Sequence, residues 1–279
     1  VQASQSAPPG TGREAPGTGR EAPGAGREAP GAGAWAGSEA GARARPLFRH
    51  EVLAVVFQVR PCGRRDQRLE VLLWQRARPP FDGCWSLPGG PLCVDERLGT
   101  SLGRYLAVKV ALTDIGHLEQ LETRSDPGRD PRGRVLATAY LALVATDVQP
   151  SVPADTAWHP VDSLPPVAFD HGSIIESGRD RLRAKLSYTN LGFALAPATF
   201  TIAGLRDIYA AVLGYPVAAT NLQRILARRE VIEPTGETAP PTTSGGRPAT
   251  VYRFATRSLR VTNPFAAFRP PSGRSQPEH

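Results

Sequence analysis

Methionine is absent from the sequence and cysteine nearly so. Cys62, Cys84 and Cys93 are odd in number, sparse and without metal-ligand spacing, which argues against a disulfide framework and against a zinc site. A reducing cytosol is the simpler setting. No apolar run approaches the roughly 18 residues of a membrane span, and the N-terminus lacks the apolar core of a signal peptide. A soluble cytoplasmic protein is expected. A chain that starts at Val1 without any methionine fits a non-AUG start codon or an over-extended start. Acidic residues are scarce where the chain is most basic: from Arg179 to the end there are 14 Lys and Arg against 6 Asp and Glu, and before it 19 against 20. A positive C-terminal part suits a polyanion, because phosphate neutralisation supplies most non-specific nucleic-acid affinity. A basic solvated surface has the same composition.

Residues 1–45 repeat "GTGREAP" from Gly10 and Gly17 and "GAGREAP" from Gly24. Each unit carries Pro and Gly and no large apolar residue, so it can neither form a helix nor bury a seam, and disorder is expected. "EVLAVVFQVR" and "RLEVLLWQRA" read as two strands, and a helix follows from about Asp95 to Val110, with Leu98, Leu102, Leu106 and Val110 on one face. "HLEQLETRS" and "RVLATAYLALVAT" add two strands, and "DHGSIIESGRDRLRAKLSY" a helix capped by Asp170. Such an order argues for an α+β layer fold. From about Tyr188 the pattern changes. Thr201 reads as the N-cap of a helix with Leu205, Ile208, Tyr209, Val212 and Leu213 on its core stripe, ended by Gly214. A second helix and a hairpin around a Gly/Pro/Thr-rich turn complete the order of a winged helix-turn-helix, before a frayed tail over 263–279.

The stretch "GGPLCVDERLGTSLGRYLAVKVAL" keeps Gly90, Glu96, Arg104, Leu106 and Leu112 at the spacing of the Nudix signature, G-x5-E-x7-R-E-U-x-E-E-x-G-U, where U is aliphatic. Tyr105, Val108 and Lys109 stand where the signature has acids, and Ala111 where it has glycine. Magnesium needs hard oxygen ligands converging from one helix face, and a lysine there repels it. "LLWQRARPPFDGCWSLPGG" and "DPGRDPRGRVLATAYLALV" resemble the flanking segments of Nudix proteins acting on ADP-ribose. With "PVAFDH" and the C-terminal winged helix, the ordered chain resembles an NrtR-type Nudix-related transcriptional regulator.

That resemblance implies a Nudix-like α/β/α sandwich with a linker helix over 46–187, and a winged helix-turn-helix DNA-binding domain over 188–262. It further implies a homodimeric repressor of NAD synthesis or salvage genes that senses ADP-ribose or a related nucleotide, with no catalysis, no metal and no cofactor. In the binding-only site, Arg76, Arg78, Arg129, Arg132 and Arg134 are candidates to meet a diphosphate. Phe81 or Trp85 could stack on adenine, and Gly89 and Gly90 permit close approach. Plainer roles stand beside these: Trp85 as a core aromatic, single loop arginines as solvated, and Glu96 as the partner of Arg104. On the recognition helix Asn221, Arg224 and Arg228 form one stripe opposite Leu222, Ile225 and Leu226, flanked by Gln223 and Arg229. Thr201, Thr220 and the hairpin's Arg247 complete the candidate contacts to double-stranded operator DNA, although "NLQRI" is less basic than the family's usual run. The helix from Asp170 to Tyr188 is the expected transmitter between the units, through Leu182 and Leu186. The alternatives are a divergent Nudix hydrolase drawing metal ligands from Glu96 with Asp95 or from the Asp126–Asp130 loop, and a nucleotide-sensing adaptor that binds protein.

Overall fold

The structure, a computed structural model, describes residues 48–63, 66–240 and 248–262. The expectations for 1–45, 263–279 and Arg247 fall outside these residues. Strand β1 (Arg49–Cys62) is the axis of the fold. Its run Leu53-Ala54-Val55-Val56-Phe57 is apolar at every position because the strand is covered on both sides. Leu53, Val55, Phe57 and Val59 enter one core, whereas Val52, Ala54 and Val56 enter the other.

Strand β2 (Asp66–Gln75) runs antiparallel to β1, with Phe57 opposite Val71. β3 (Trp85–Ser86) extends β2, and β4 (Gly89–Pro91) pairs β1 at Leu53. After helix α1 (Leu98–Val110), β5 (His117–Arg124) and β6 (Val135–Val144) pair antiparallel, and β6 lies parallel to β1. β7 (Thr156–Pro160) then returns to β2. The sheet order is β3-β2-β1-β6-β5, with β4 on β1 and β7 on β2. α1 covers one face through Leu102, Leu106 and Val110; α2 (His171–Tyr188) covers the other through Ile174, Ile175, Leu182 and Leu186. This is the expected α/β/α sandwich.

Two helix starts differ from expectation. α1 begins at Leu98 rather than Asp95, and no side chain caps it. Asp170 does stand at the N-cap of α2, but its carboxylate does not cap. It accepts instead from Arg129, Nη2 at 2.7 Å and Nε at 3.1 Å.

A 3-10 turn (Leu191–Ala194) leads to β8 (Phe200–Thr201) and α3 (Ile202–Leu213). Thr201 Oγ1 accepts from the Gly204 N–H at 3.2 Å, as an N-cap should, and Gly214 ends the helix at φ 79°. α4 (Ala219–Arg228), β9 (Ile232–Ala239) and β10 (Ala249–Phe254) complete the unit, with sheet order β8-β10-β9. Leu205, Ile208, Tyr209 and Val212 join the core that begins under β1 and reaches Phe254. Burial is therefore continuous from the sensor-side sheet to the hairpin.

Candidate functional site

One face of β1, the Gly89-Gly90 turn and the start of α2 enclose a cavity of about 180 Å³, and a second of about 420 Å³ lies beside it. Both are lined by Trp74, Arg76, Lys109 and Arg132, so they form the inner chamber and mouth of one cleft. Together they reach the range usual for small-molecule sites, roughly 300–1,000 Å³. The lining is cationic: Arg49, Arg76, Lys109 and Arg132 stand around Glu51, the one carboxylate among the inner lining residues.

Each cation is held in place by the fold. Lys109, on α1, donates from Nζ to the Gly89 carbonyl at 2.8 Å and lies 4.3 Å from the centre of the Trp74 ring. Burial, and then Arg76, pull its pKa below the usual lysine value. Arg76 is lowered in turn by burial and then by Arg132, and its Nε donates to the Pro80 carbonyl at 2.9 Å. Phe169 sits among these cations, its ring centre 4.8 Å from the Arg76 guanidinium and 5.7 Å from that of Arg132. Mutual repulsion between half-desolvated cations is what a bound diphosphate would relieve, through charge-assisted and bidentate hydrogen bonds.

At the inner end, His171 Nδ1 accepts from the Leu87 N–H at 3.1 Å, so a neutral ring carries its proton on Nε2. Burial pushes the imidazole pKa down to about 3. Since the unfolded ring titrates near 6.5, the unfolded state binds the extra proton between these values. Stability should therefore fall as pH drops from 6.5 toward 3, and His171→Asn should flatten that part of a denaturation-versus-pH profile. An unchanged slope would place the dependence elsewhere.

Of the residues expected at this site, Arg76, Gly89, Gly90 and Arg132 line the inner chamber, and Arg78 lines the mouth. Phe81 packs edge-on against Phe169 at 4.8 Å. The others are engaged elsewhere. Trp85 is half-buried edge-on to His159 at 4.3 Å, the plainer core role. Arg129 is buried against Asp170. Arg134 donates to the Ser125 carbonyl and lies over Phe48. Both Glu96 oxygens accept from Arg104 at 2.7 Å, and these hydrogen bonds hold its carboxyl at about 2. The glycines serve packing as well: a Cβ on Gly89 would lie 2.0 Å from the Val52 carbonyl, and one on Gly90 2.6 Å from the Tyr105 ring.

The three positions that lack the signature's acids diverge. Tyr105 donates to the Pro91 carbonyl at 2.8 Å, Val108 is 77% exposed, and only Lys109 reaches the cleft. Asp130 is buried between Arg132 and Arg49, and Asp126 accepts from the Gly128 N–H. Among the described residues no group of three or more His, Cys, Asp or Glu is placed to hold a metal ion. Sequence reasoning missed Arg49, Glu51, Trp74, Phe169 and His171 as lining residues and read Lys109 only as repelling metal. "PVAFDH" was the available signal for Phe169 and His171.

On α4, Leu222 and Leu226 are buried and Ile225 is half-buried, which turns Thr220, Asn221, Arg224 and Arg228 outward. Arg224 Nη2 donates to Asn221 Oδ1 at 2.8 Å, so these two present a linked pair. Gln223 is drawn away from the outer stripe by a 2.9 Å hydrogen bond to the Tyr252 hydroxyl, and Arg229 by donation to the Ser187 carbonyl at 2.9 Å. Thr201 spends its hydroxyl on the α3 cap. A polar, basic helix face beside a two-stranded hairpin is the geometry of a groove reader.

Comparison with known proteins bears on both halves. A family profile for the NrtR DNA-binding winged helix domain matches residues 192–254. The ADPR responsive transcriptional repressor NtrR of Acinetobacter baylyi is 34% identical over 197 residues, covering 67% of this chain and 76% of the relative. This chain belongs to the NrtR family. The crystal structure of Shewanella oneidensis NrtR with a 27mer DNA superposes with a TM-score of 0.63 at 33% identity, covering 73% of this chain and 92% of that one. A MutT/nudix family protein of Enterococcus faecalis superposes with a TM-score of 0.62 at 25% identity, covering 76% and 90%. The expected architecture, a Nudix-like mixed sheet followed by a winged helix, is therefore that of the NrtR family. Its members compared here are named as a repressor and as a DNA complex. No helix among the described residues is long and apolar enough to cross a membrane.

Proposed function

We propose that the chain is a transcriptional repressor that binds double-stranded operator DNA through α4 and the hairpin, and that ADP-ribose or a related NAD-derived nucleotide bound in the cleft switches it. The A. baylyi relative is named as ADPR responsive, and the S. oneidensis relative was crystallised with a 27mer DNA. The observation that carries the ligand reading is the cleft itself: Arg76, Lys109 and Arg132 converge around Phe169 with no set of acids to bind metal. Binding replaces hydrolysis, so no divalent-metal-dependent release of AMP from ADP-ribose accompanies it. Residues 46–187 act as sensor and 188–262 as reader in a homodimer, with Arg247 on the wing. Targets are genes of NAD synthesis or salvage. Operator half-sites spaced by about one helical turn make simultaneous docking sensitive to small rotations of the dimer.

The test is fluorescence anisotropy with NAD-biosynthesis promoter fragments, with and without ADP-ribose, at two salt concentrations. Selective binding that ADP-ribose alters is expected. Arg228→Ala should weaken all fragments alike and lower the salt slope by about one unit, whereas Asn221→Ala should cost about 1–3 kcal/mol on the operator alone. Arg76→Ala and Arg132→Ala should each weaken ADP-ribose binding by roughly tenfold or more, because each removes charge-assisted hydrogen bonds. Equal, salt-sensitive binding to every fragment, or AMP release with magnesium, would sink the proposal.

A further inference from the structure

The inner chamber contains polar groups that a diphosphate does not require. Ser86 is 1% exposed, its Oγ lacks any hydrogen-bond partner, and it lines the chamber. A buried hydroxyl without a partner is rare and calls for an explanation. Leu87, the next residue, fixes the His171 ring so that Nε2 is the protonated nitrogen, and no acceptor among the described residues takes its proton. Glu51 lines the same chamber; its nearest cationic partner, Arg132, is 3.9 Å away, beyond hydrogen-bond length. A carboxylate set among cations is the wrong group for phosphate but the right one for a sugar diol, from which it accepts two hydrogen bonds.

We infer that Glu51, Ser86 and His171 form a sugar subsite: the cations of the mouth hold the diphosphate, and the inner chamber holds an unsubstituted polyhydroxyl ring esterified to its distal phosphate. Glu51 accepts from two adjacent hydroxyls. Ser86 Oγ and His171 Nε2 supply donors for the remaining oxygens. The chamber, about 180 Å³, closes against Leu53, Leu87 and Phe169, which leaves room for one small ring. The preferred ligand is then a nucleoside diphosphate sugar rather than a nucleoside diphosphate. This inference rests on the ligand reading given above and adds what lies beyond the phosphates.

Direct calorimetric titration of the full chain with ADP-ribose and with ADP, without DNA, tests it. The wild type should bind ADP-ribose at least tenfold more tightly than ADP, since the sugar gains hydrogen bonds to a charged partner. Ser86→Ala and Glu51→Gln should each erase most of that difference by weakening ADP-ribose while leaving ADP affinity within about twofold, a change worth less than one ordinary hydrogen bond. Thermal unfolding identifies any variant that has lost its fold, and the milder Ser86→Ala then decides. Equal affinity of the wild type for ADP and ADP-ribose, or variants that weaken both ligands alike, overturns the sugar subsite while leaving the diphosphate site intact. Failure of the wild type to bind either ligand overturns the ligand reading itself.

Discussion

Asp170→Ala should lower the free energy of unfolding by about 3–5 kcal/mol, the range for removing one partner of a buried ion pair. The Arg129 side chain is 2% exposed and meets both Asp170 oxygens, so the substitution strands a guanidinium inside the protein. Stranding, rather than the lost attraction, dominates the cost, because pairing barely repays the desolvation of both ions. The double variant Arg129→Met/Asp170→Leu should consequently recover most of the loss. Urea denaturation of the two single variants and the double variant measures this. If the losses add, the pair is not a unit. The same substitution should weaken ligand binding, because Asp170 lies between Phe169 and His171, which both line the cleft. Phe169 is held at φ 56°, a backbone state that costs a non-glycine residue of order 1–3 kcal/mol and persists only where neighbours enforce it.

That dependence marks what a linear reading can and cannot reach. β1 was legible because a strand covered on both faces must be apolar at consecutive positions, and α1 because Leu98, Leu102, Leu106 and Val110 recur at helical spacing. Thr201 and Gly214 act on their own neighbours, and both do what their residue types favour. β3 and β4 escaped notice because strands of 2 and 3 residues show no alternation, and the 5 residues of β7 little more. Asp170 was misread for a different reason: a cap is a local bargain, but Arg129, 41 residues away, offers a charged bidentate partner. Lys109 shows the same limit at the site. Opposition to a metal follows from its charge alone, whereas its service to the cleft depends on Gly89 and Trp74 standing over it. Gln223, likewise, shares its helix with the outward stripe but is claimed by Tyr252 on β10. Local chemistry was readable; competition from distant partners was not.

Arg183→Ala and Arg229→Ala should abolish most of the effect of ADP-ribose on operator affinity while leaving each binding event nearly intact. α2 begins beside the cleft, where Asp170 and His171 are fixed, and at 18 residues it extends about 27 Å toward the reader. Along its course Lys185 pairs with Glu119 and Arg124 donates to Ser177, which fastens it to β5. At its far end Arg183 Nε donates to the Val212 carbonyl of α3 at 2.9 Å, and Arg229, at the end of α4, donates to the Ser187 carbonyl. A shift of the helix start on binding thus reaches both helices of the reader through two hydrogen bonds. Typical coupling energies of about 1–3 kcal/mol correspond to a 5–150-fold change in DNA affinity, which is the effect these variants put at risk. Leu182→Ala is the blunter probe, since truncating a fully buried leucine costs about 2–5 kcal/mol of stability and confuses uncoupling with unfolding. Operator titrations at zero and saturating ADP-ribose, paired with ligand titrations without DNA, separate the cases. A full ligand response in the double variant Arg183→Ala/Arg229→Ala would show that these two contacts do not carry the signal. The switch would then have to act through the shared apolar core, where Leu186 packs with Tyr209 and Leu226.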